Sequence, residues 1–428
     1  MSDNQNEKDL EQKYNEESRE ILKEFIEELN SCDLSNGEYP KLGSDDLRYT
    51  ASLQGKRLSD NNASVKYNYS MDNSIRGSAI KLDKDTRYIT RMPFSIMDSK
   101  TEYSVAGKVK KREKYKKTMY ANVIWLKNQN KKEKYSCPDC GAVSTVGQLL
   151  TGCPFCQTRF MMSELFPKVT NYYDHKANTY ITTSVAPFSL FGVLILLCIF
   201  GFVNFDTLKT AFTSDDIVPK ITEGAWIAGY TAVGILSGYV LKVVANILYG
   251  IIYVSMYLPS FFRFLKTRRR LPEFMRGFEK NFTLDHFIGK LIYLIRMMVY
   301  SEDYENCAVY CGEPVENECR DIIDMNYFGF INAKNYYIEN DYAYIDIDVH
   351  MFTIRCKGHH ISKRIEVFEL LIYKNIHAET DNGFSIHKIE CRNCGSSFDA
   401  TKEKYCPYCR SDFNLPDYDW VIKKFKRK

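Results

Sequence analysis

The chain has 428 residues, of which 45% are apolar, and its 58 Lys and Arg nearly balance 54 Asp and Glu to give a formal net charge of +4. A chain this long and this apolar is not a disordered tail, and we expect it to form about two or three domains. The small net charge indicates no particular partner, so only the distribution of charge along the chain is informative. Thirty-one tyrosines favour half-buried pleated surfaces and therefore substantial β structure.

An acidic helical segment is predicted over residues 1–40. Residues 1–35 hold eleven acids and four bases, and Ile21 to Leu29 has the apolar spacing of an amphipathic helix. The segment contains no apolar run, which excludes a secretory signal. We therefore expect the fourteen cysteines to be thiols or metal ligands in a reducing compartment rather than disulfides.

Residues 41–180 are predicted to form a β-rich N-terminal domain with a strongly basic stretch. Between Lys108 and Lys134 there are eleven Lys or Arg and only two acids. Two interpretations stay open: a solvated face of a sheet, or a surface for an anionic partner such as nucleic acid or lipid headgroups. Tyr115, Tyr120 and Trp125 interleave this stretch and could stack on bases.

Four Cys-x-x-Cys pairs predict two structural metal sites, within residues 137–156 and 391–409. Four thiolates close a tetrahedral shell and leave no open position for water, which is typical of a structural zinc ribbon. Two structural zinc ions are therefore the predicted cofactors, with iron in a rubredoxin-like site as the chemical alternative. Zinc is expected mainly to supply folding energy. The predicted ligands are Cys137, Cys140, Cys153 and Cys156 in the first ribbon and Cys391, Cys394, Cys406 and Cys409 in the second.

Two apolar stretches predict a transmembrane hairpin over residues 181–262. Residues 185–203 carry no charge, and as a helix they would reach about the thickness of a bilayer core. The second stretch is broken only by Lys242, and its crossing is assigned to about residues 225–258. It is either one long helix or two short helices that fold back at Lys242.

The basic linker 263–272 sets the predicted orientation of this hairpin. Basic flanks stay on the cytoplasmic side, so both termini and both ribbons are expected there, in a protein integral to the cell membrane. The linker is also predicted to contact anionic lipid. Its basic residues are Arg263, Lys266, Arg268, Arg269 and Arg270.

The C-terminal domain is predicted over residues 273–428, with helices first and an antiparallel sheet after them. Pro272 suits the start of a helix, and Phe287 to Met298 has the apolar spacing of an amphipathic packing helix. Tyr342 to Cys356 alternates between apolar and polar residues, which predicts a long half-buried strand. Further strands are predicted at Ile365 to Tyr373 and Trp420 to Phe425. The predicted class is α+β: two cytoplasmic α+β domains, each with a zinc ribbon, joined by the hairpin.

This order of elements resembles the C-terminal domain of the mitochondrial import-motor anchor, the Tim-forty-four-like family. The likeness rests on the long helix, on the strand around Ile345 to Val349, and on a last strand that opens with Trp420. The chain is also similar to bacterial membrane proteins in which a zinc ribbon is inserted before the last strand. The resemblance implies a cone-like nuclear-transport-factor fold and a membrane-tethered binding domain, and it transfers no catalytic residue.

The N-terminal half has the marks of a distant copy of this plan. Tyr120 to Trp125, the first ribbon and Phe166 to Val169 recur as Ile372 to Ile376, the second ribbon and Trp420 to Lys423. Two explanations therefore stay open: the two halves arose by duplication, or an inserted ribbon always lies between two strands.

No sequence motif for catalysis is present, which predicts a protein that is not an enzyme. Asp346, Asp348 and His350 share one face of a strand and keep a catalytic alternative open. The leading hypothesis is a membrane-anchored zinc-ribbon adaptor that binds a protein partner. The alternatives are nucleic-acid binding, although residues 141–152 of the first ribbon carry no base, and an accessory subunit of a transport or envelope machine.

Overall fold

The computed structural model describes residues 2–71, 79–81, 88–127, 131–176, 209, 213, 217–280, 282–304, 307–313, 319–378, 388–400 and 402–428. The chain divides into two compact units, one of residues 1–178 and 262–428 and the other of residues 179–261. The first unit contains both cysteine clusters.

The helices of the described part include the predicted acidic segment. Leu22, Phe25 and Leu29 in that segment are fully buried, so the expected amphipathic face is confirmed. Ser44 begins the second helix by accepting a hydrogen bond from the Leu47 amide, and acids in its first turn suit the helix dipole. The helices are α1 (Ser2–Ser31), α2 (Asp45–Asp60), α3 (Val146–Thr151), α4 (Met162–Leu165), α5 (Ile217–Met275) and α6 (Leu284–Tyr300), with 3-10 turns at Leu34–Asn36 and Leu415–Asp417.

The strands form one large mixed sheet and two small ones, which confirms the α+β class. The large sheet has the order β1-β4-β5-β8-β9-β10-β11-β14, and β3 links β2 to β5 at its side. The pairs β6–β7 and β12–β13 are separate two-stranded sheets. The strands are β1 (Ala63–Met71), β2 (Ile80–Lys81), β3 (Tyr88–Met92), β4 (Phe94–Val105), β5 (Lys108–Leu126), β6 (Lys134–Ser136), β7 (Val143–Thr145), β8 (Lys168–Lys176), β9 (Ile322–Glu339), β10 (Tyr342–Lys357), β11 (His360–Asn375), β12 (Lys388–Glu390), β13 (Ser397–Asp399) and β14 (Val421–Arg427).

The two halves of the large sheet repeat one order of elements. After α2, strands β1, β4 and β5 form an antiparallel meander, the first ribbon follows, and β8 returns antiparallel to β5. After α6, strands β9, β10 and β11 do the same, the second ribbon follows, and β14 returns antiparallel to β11. The halves meet where β8 pairs in parallel with β9, at His175 and Tyr327. This repeated order is the arrangement that the duplication hypothesis requires.

The halves also share a hydrophobic core. Ile323, Ile354 and Ile361 of the second half belong to a cluster built mainly from α1, α2 and the strands of the first half. The buried Asp324 carboxylate accepts hydrogen bonds from the Tyr103 hydroxyl at 2.7 Å and the Tyr67 hydroxyl at 3.2 Å, and burial raises its pKa. The core of the first half therefore contains apolar and polar side chains that belong to the second half.

The predicted C-terminal elements are present with two corrections. The predicted helix is α6 and the three predicted strands are β10, β11 and β14. Pro272 does not start a helix; it lies in the last turn of α5, and α6 begins only at Leu284. The polar face of β10 is not open to solvent, since Asp348 and His350 are buried.

The predicted transmembrane hairpin is wrong, and with it the integral location in the cell membrane. In the part of the chain that the structure describes, no helix is long and apolar enough to cross a membrane. The first predicted span, 185–203, lies outside the described residues. The second predicted span, about residues 225–258, lies within α5 (Ile217–Met275). The five basic residues of the linker are exposed in the last turns of α5.

Candidate metal centres

The first cysteine cluster has the spacing of a tetrahedral metal site. The sulfur atoms of Cys137 and Cys156 lie 3.6 Å apart. Those of Cys140 and Cys153 lie 3.8 Å apart, and all four fall within 4.8 Å of one another. An ion held at ~2.3 Å by four sulfurs needs them ~3.8 Å apart, so the residues present fit such an ion.

The second cluster repeats this geometry. The sulfurs of Cys391 and Cys409 lie 3.6 Å apart, and so do those of Cys394 and Cys406. The structure therefore brings together each of the two predicted ligand sets, and each could hold a metal ion. A shell of four thiolates leaves no position for a substrate or a reactive water, which is the pattern of a structural site.

The backbone around each first Cys-x-x-Cys pair explains why a glycine follows it. Gly141 and Gly395 have φ angles of 74° and 71°, which side chains with a Cβ adopt only under strain. Their amides donate to the carbonyls of Cys137 and Cys391 at 2.8 Å. The chain thus turns tightly enough to aim both sulfurs of the pair at one point. Strands β6 and β7 flank the first turn, and β12 and β13 flank the second.

The second Cys-x-x-Cys pair of each ribbon is followed two residues later by a hydroxyl. The Ser411 hydroxyl lies 3.0 Å from the sulfur of Cys409 and 3.1 Å from that of Cys391. Its hydrogen bond lowers the pKa of Cys409 to about 5, which favours the thiolate that a metal requires. Thr158 occupies the same position in the first ribbon, 3.4 Å from the sulfur of Cys156. Sequence spacing alone did not identify these two hydroxyls.

The ribbons are anchored to the large sheet by different cores. The first has a small core of its own, in which Tyr135, Leu149 and Phe166 pack with Tyr88 of the sheet. The second continues the main core through Phe398. The first ribbon therefore has a separate apolar core, whereas the second shares the main core of the protein.

The two ribbons lie side by side. Sheet β6–β7 of the first contacts sheet β12–β13 of the second, and the Lys134 ammonium donates to the Ser397 hydroxyl at 3.1 Å. Lys402 of the second ribbon pairs with Asp45 of α2 at 2.7 Å and lies over the Tyr49 ring. The paired ribbons thus form one continuous surface, although 263 positions separate Lys134 from Ser397.

The tips of the ribbons carry exposed aromatic side chains at equivalent positions. Phe155 is the residue before the last cysteine of the first ribbon and is 65% exposed; Tyr408 has the same place in the second and is 66% exposed. A cleft of about 240 Å³ lies beside the second cluster, between Arg392 and Tyr418. A partner's side chain could enter the protein surface at this cleft.

The candidate catalytic residues of β10 contact other residues of the fold. Lys334 lies 2.7 Å from the Asp348 carboxylate and 3.7 Å from that of Asp346. The ring of His350 hydrogen-bonds to Asn332 at 3.1 Å, and burial lowers its pKa. Asp346, Asp348 and His350 therefore make ion pairs or hydrogen bonds within the fold.

Glu369 belongs to this ion-pair network, and its titration makes the stability of the protein depend on pH. Hydrogen bonds from Lys428 at 2.9 Å and Lys334 at 3.1 Å lower the pKa of Glu369 from 4.5 to about 2. A carboxyl whose pKa falls on folding stabilises the protein above its unfolded pKa, and the contribution is lost as the pH falls from 4.5 towards 2.

We therefore expect Glu369→Gln to lower the free energy of unfolding by about 1 kcal/mol at neutral pH, the size found for partly screened pairs. The difference from the unchanged chain should shrink as the pH is lowered and vanish near pH 2. Urea unfolding at several pH values measures it. Exposed Glu24 of α1, replaced by Gln, is the control, and an equal pH dependence in both variants would contradict the assignment to Glu369.

Comparison with models of protein families, with curated proteins and with solved structures finds no match to this chain. The resemblance to the mitochondrial import-motor anchor stays a prediction. Inferences about function therefore have to come from the chemistry of the residues themselves.

Proposed function

We propose that this chain is a non-catalytic scaffold, in which two structural zinc ions hold a paired-ribbon platform that binds a protein partner. The observation that carries the proposal is the exposure of Phe155 and Tyr408 at equivalent tips of two adjacent ribbons. Four thiolates at tetrahedral spacing form the donor set that zinc prefers, which supports zinc as the metal.

A protein partner explains the exposed tips better than solvent exposure alone. Single exposed apolar residues are common and need no explanation. Here the same position carries a large aromatic side chain in both ribbons, Phe155 and Tyr408, although the exposure of an aromatic ring to water is unfavourable. Aromatic anchors on a rigid backbone dominate protein interfaces, because little side-chain and loop entropy is lost when they bind. The metal-held turns supply that rigidity.

The cleft beside the second ribbon fits the same proposal. Its volume, about 240 Å³, is below the range of ~300–1,000 Å³ that is usual for small-molecule sites. Its lining mixes Arg392, Asp412 and Phe413, and Arg392 donates to the Tyr418 hydroxyl at 3.1 Å. A cleft of this size and mixed polarity suits one side chain of a protein partner.

Site-specific photocrosslinking tests the platform. A benzoylphenylalanine placed at residue 155 or residue 408 of the full-length, metal-loaded chain is expected to capture the same protein in cells, because both tips face one partner. The replacement Phe155→Ala with Tyr408→Ala should lower co-purification of that protein at least ~10-fold, the loss of two interface anchors.

Exposed Val109, at the end of β5 remote from the first ribbon, is the control position for the crosslinker. Metal analysis of the double variant should still give two ions per chain, which separates loss of contact from loss of folding. The proposal fails if residues 155 and 408 capture nothing, or only what residue 109 captures.

A further inference from the structure

Residues 262–270 of α5 present two apolar side chains among five bases, and these residues are here named the basic segment. Phe262 is 60% exposed and Leu265 is 42% exposed. The five bases are exposed as well, and they make no ion pair with any residue that the structure describes. They are Arg263, Lys266, Arg268, Arg269 and Arg270.

The opposite side of the same helical turns is docked on strand β9. The Ala333 amide donates to the Thr267 hydroxyl at 2.9 Å, and Leu271 is fully buried. The Phe264 ring packs against Phe330 of β9, with 5.9 Å between the ring centres. The fold therefore fixes which side of α5 faces outwards, so the two exposed apolar side chains of the basic segment cannot turn inwards without breaking these contacts.

The bases of this segment lie on both sides of its apolar side chains. At ~100° per residue, Phe262 and Leu265 point ~60° apart around the helix axis, and Arg269 lies between them. Lys266 follows ~40° beyond Phe262, whereas Arg268 follows ~60° beyond Leu265 on the other side. An apolar centre with cations around it is the pattern of a helix that lies along a charged lipid surface.

The solvated helix faces of this chain have a different composition. Helices α1 and α2 also pack one side against strands, and the described residues of both helices expose a single large apolar side chain, that of Leu10. The basic segment exposes two within four residues, and the turn before it, in the other compact unit, exposes Leu258 and Phe261. Exposed apolar side chains with charged residues around them mark surfaces that contact a protein or a membrane.

We propose that the basic segment adsorbs to the surface of a membrane that contains anionic lipids. Phe262 and Leu265 enter the boundary between headgroups and acyl chains, and the long side chains of the bases reach the lipid phosphates around them. The other side of the helix stays on β9 through contacts such as that of Thr267. The contact is therefore made at the surface of the bilayer, and the segment does not cross it.

The combination of charge and apolar surface favours a lipid bilayer over other anionic partners. The first acid after the basic segment is Glu273, so the local charge is strongly positive. A nucleic-acid backbone neutralises bases but offers no apolar contact to Leu265. An anionic bilayer offers phosphates and acyl chains together, and each base close to its surface strengthens binding about fivefold.

Co-sedimentation of the full-length, metal-loaded chain with lipid vesicles tests the proposal. The chain is expected to bind vesicles of phosphatidylcholine that contain ~30% phosphatidylserine, and binding should weaken between ~50 and ~200 mM salt because salt screens the charges. Replacing Lys266, Arg269 and Arg270 together by Gln should weaken this binding ~100-fold. The replacement Phe262→Ala with Leu265→Ala should weaken it at least ~10-fold and leave its salt dependence unchanged.

The control removes three exposed bases from strand β5, with Gln replacing Lys110, Lys114 and Lys116 together. This variant, and the ribbon-tip variant Phe155→Ala with Tyr408→Ala, should bind the vesicles as the unchanged chain does. Equal binding to vesicles of phosphatidylcholine alone, no effect of the three substitutions in α5, or an equal loss in the control would overturn the proposal. Unchanged binding after the replacement of Phe262 and Leu265 would also overturn it and point to an acidic polymer instead.

Discussion

Replacing Cys153 by Ser is expected to release the metal of the first ribbon while the second ribbon keeps its own, so that bound metal falls from two ions per chain to one. Three thiolates cannot close the tetrahedral shell, and a structural zinc site contributes on the order of 10 kcal/mol to folding. The small core around Tyr135 and Leu149 cannot replace that contribution. Residues 131–166 should lose protection against hydrogen exchange.

Metal analysis by mass spectrometry, together with hydrogen exchange, measures both effects and identifies the metal as zinc or iron. Cys406→Ser is the reciprocal variant and should release the second ion. Cys32→Ser, outside both clusters, is the control and should keep two ions. Retention of two ions by the Cys153 and Cys406 variants would refute the assignment of the ligands, and loss of both ions from either variant would refute independent sites.

Lys117→Met is expected to lower the free energy of unfolding by ~3–5 kcal/mol, because it leaves the Asp174 carboxylate without its ammonium partner. Both side chains are almost fully buried, and the pair joins β5 to β8 near the line where the two halves of the sheet meet. The double variant Lys117→Met with Asp174→Leu should recover most of the loss, since an apolar pair carries no desolvation penalty.

Lys116→Met is a closely matched control, because the same substitution one residue earlier falls on the exposed face of β5. It should change the free energy of unfolding by no more than ~0.5 kcal/mol. Chemical denaturation at neutral pH measures all three variants. Similar losses at residues 116 and 117 would show that the buried pair has no special role in stability.

The features predicted correctly from the sequence depend on short-range patterns. Two cysteines and a glycine within five residues fix each metal-binding turn, and alternation over Tyr342 to Cys356 is enough to predict β10.

What the sequence could not predict depends on distant partners. The ribbons meet through residues such as Lys134 and Ser397, and no local pattern relates them. The polar face of β10 suggested exposure, but Lys334 of β9 and Lys428, which follows β14, neutralise Asp348 there. The transmembrane prediction counted charges along residues 185–203 and 225–258, and no helix of the described residues is long and apolar enough to cross a membrane.

The core shared between the two halves has a consequence for synthesis on the ribosome. The first half has been synthesised once the chain reaches residue 178. Its Tyr67 and Tyr103 hydroxyls can hydrogen-bond to the Asp324 carboxylate, and its apolar core can include Ile361, only after the second half has been made. At ~5–20 residues per second, this interval is about 10 s or longer. During that time the apolar residues of the first half that pack against the second half lack those partners, and exposed apolar surface of this kind is prone to aggregation.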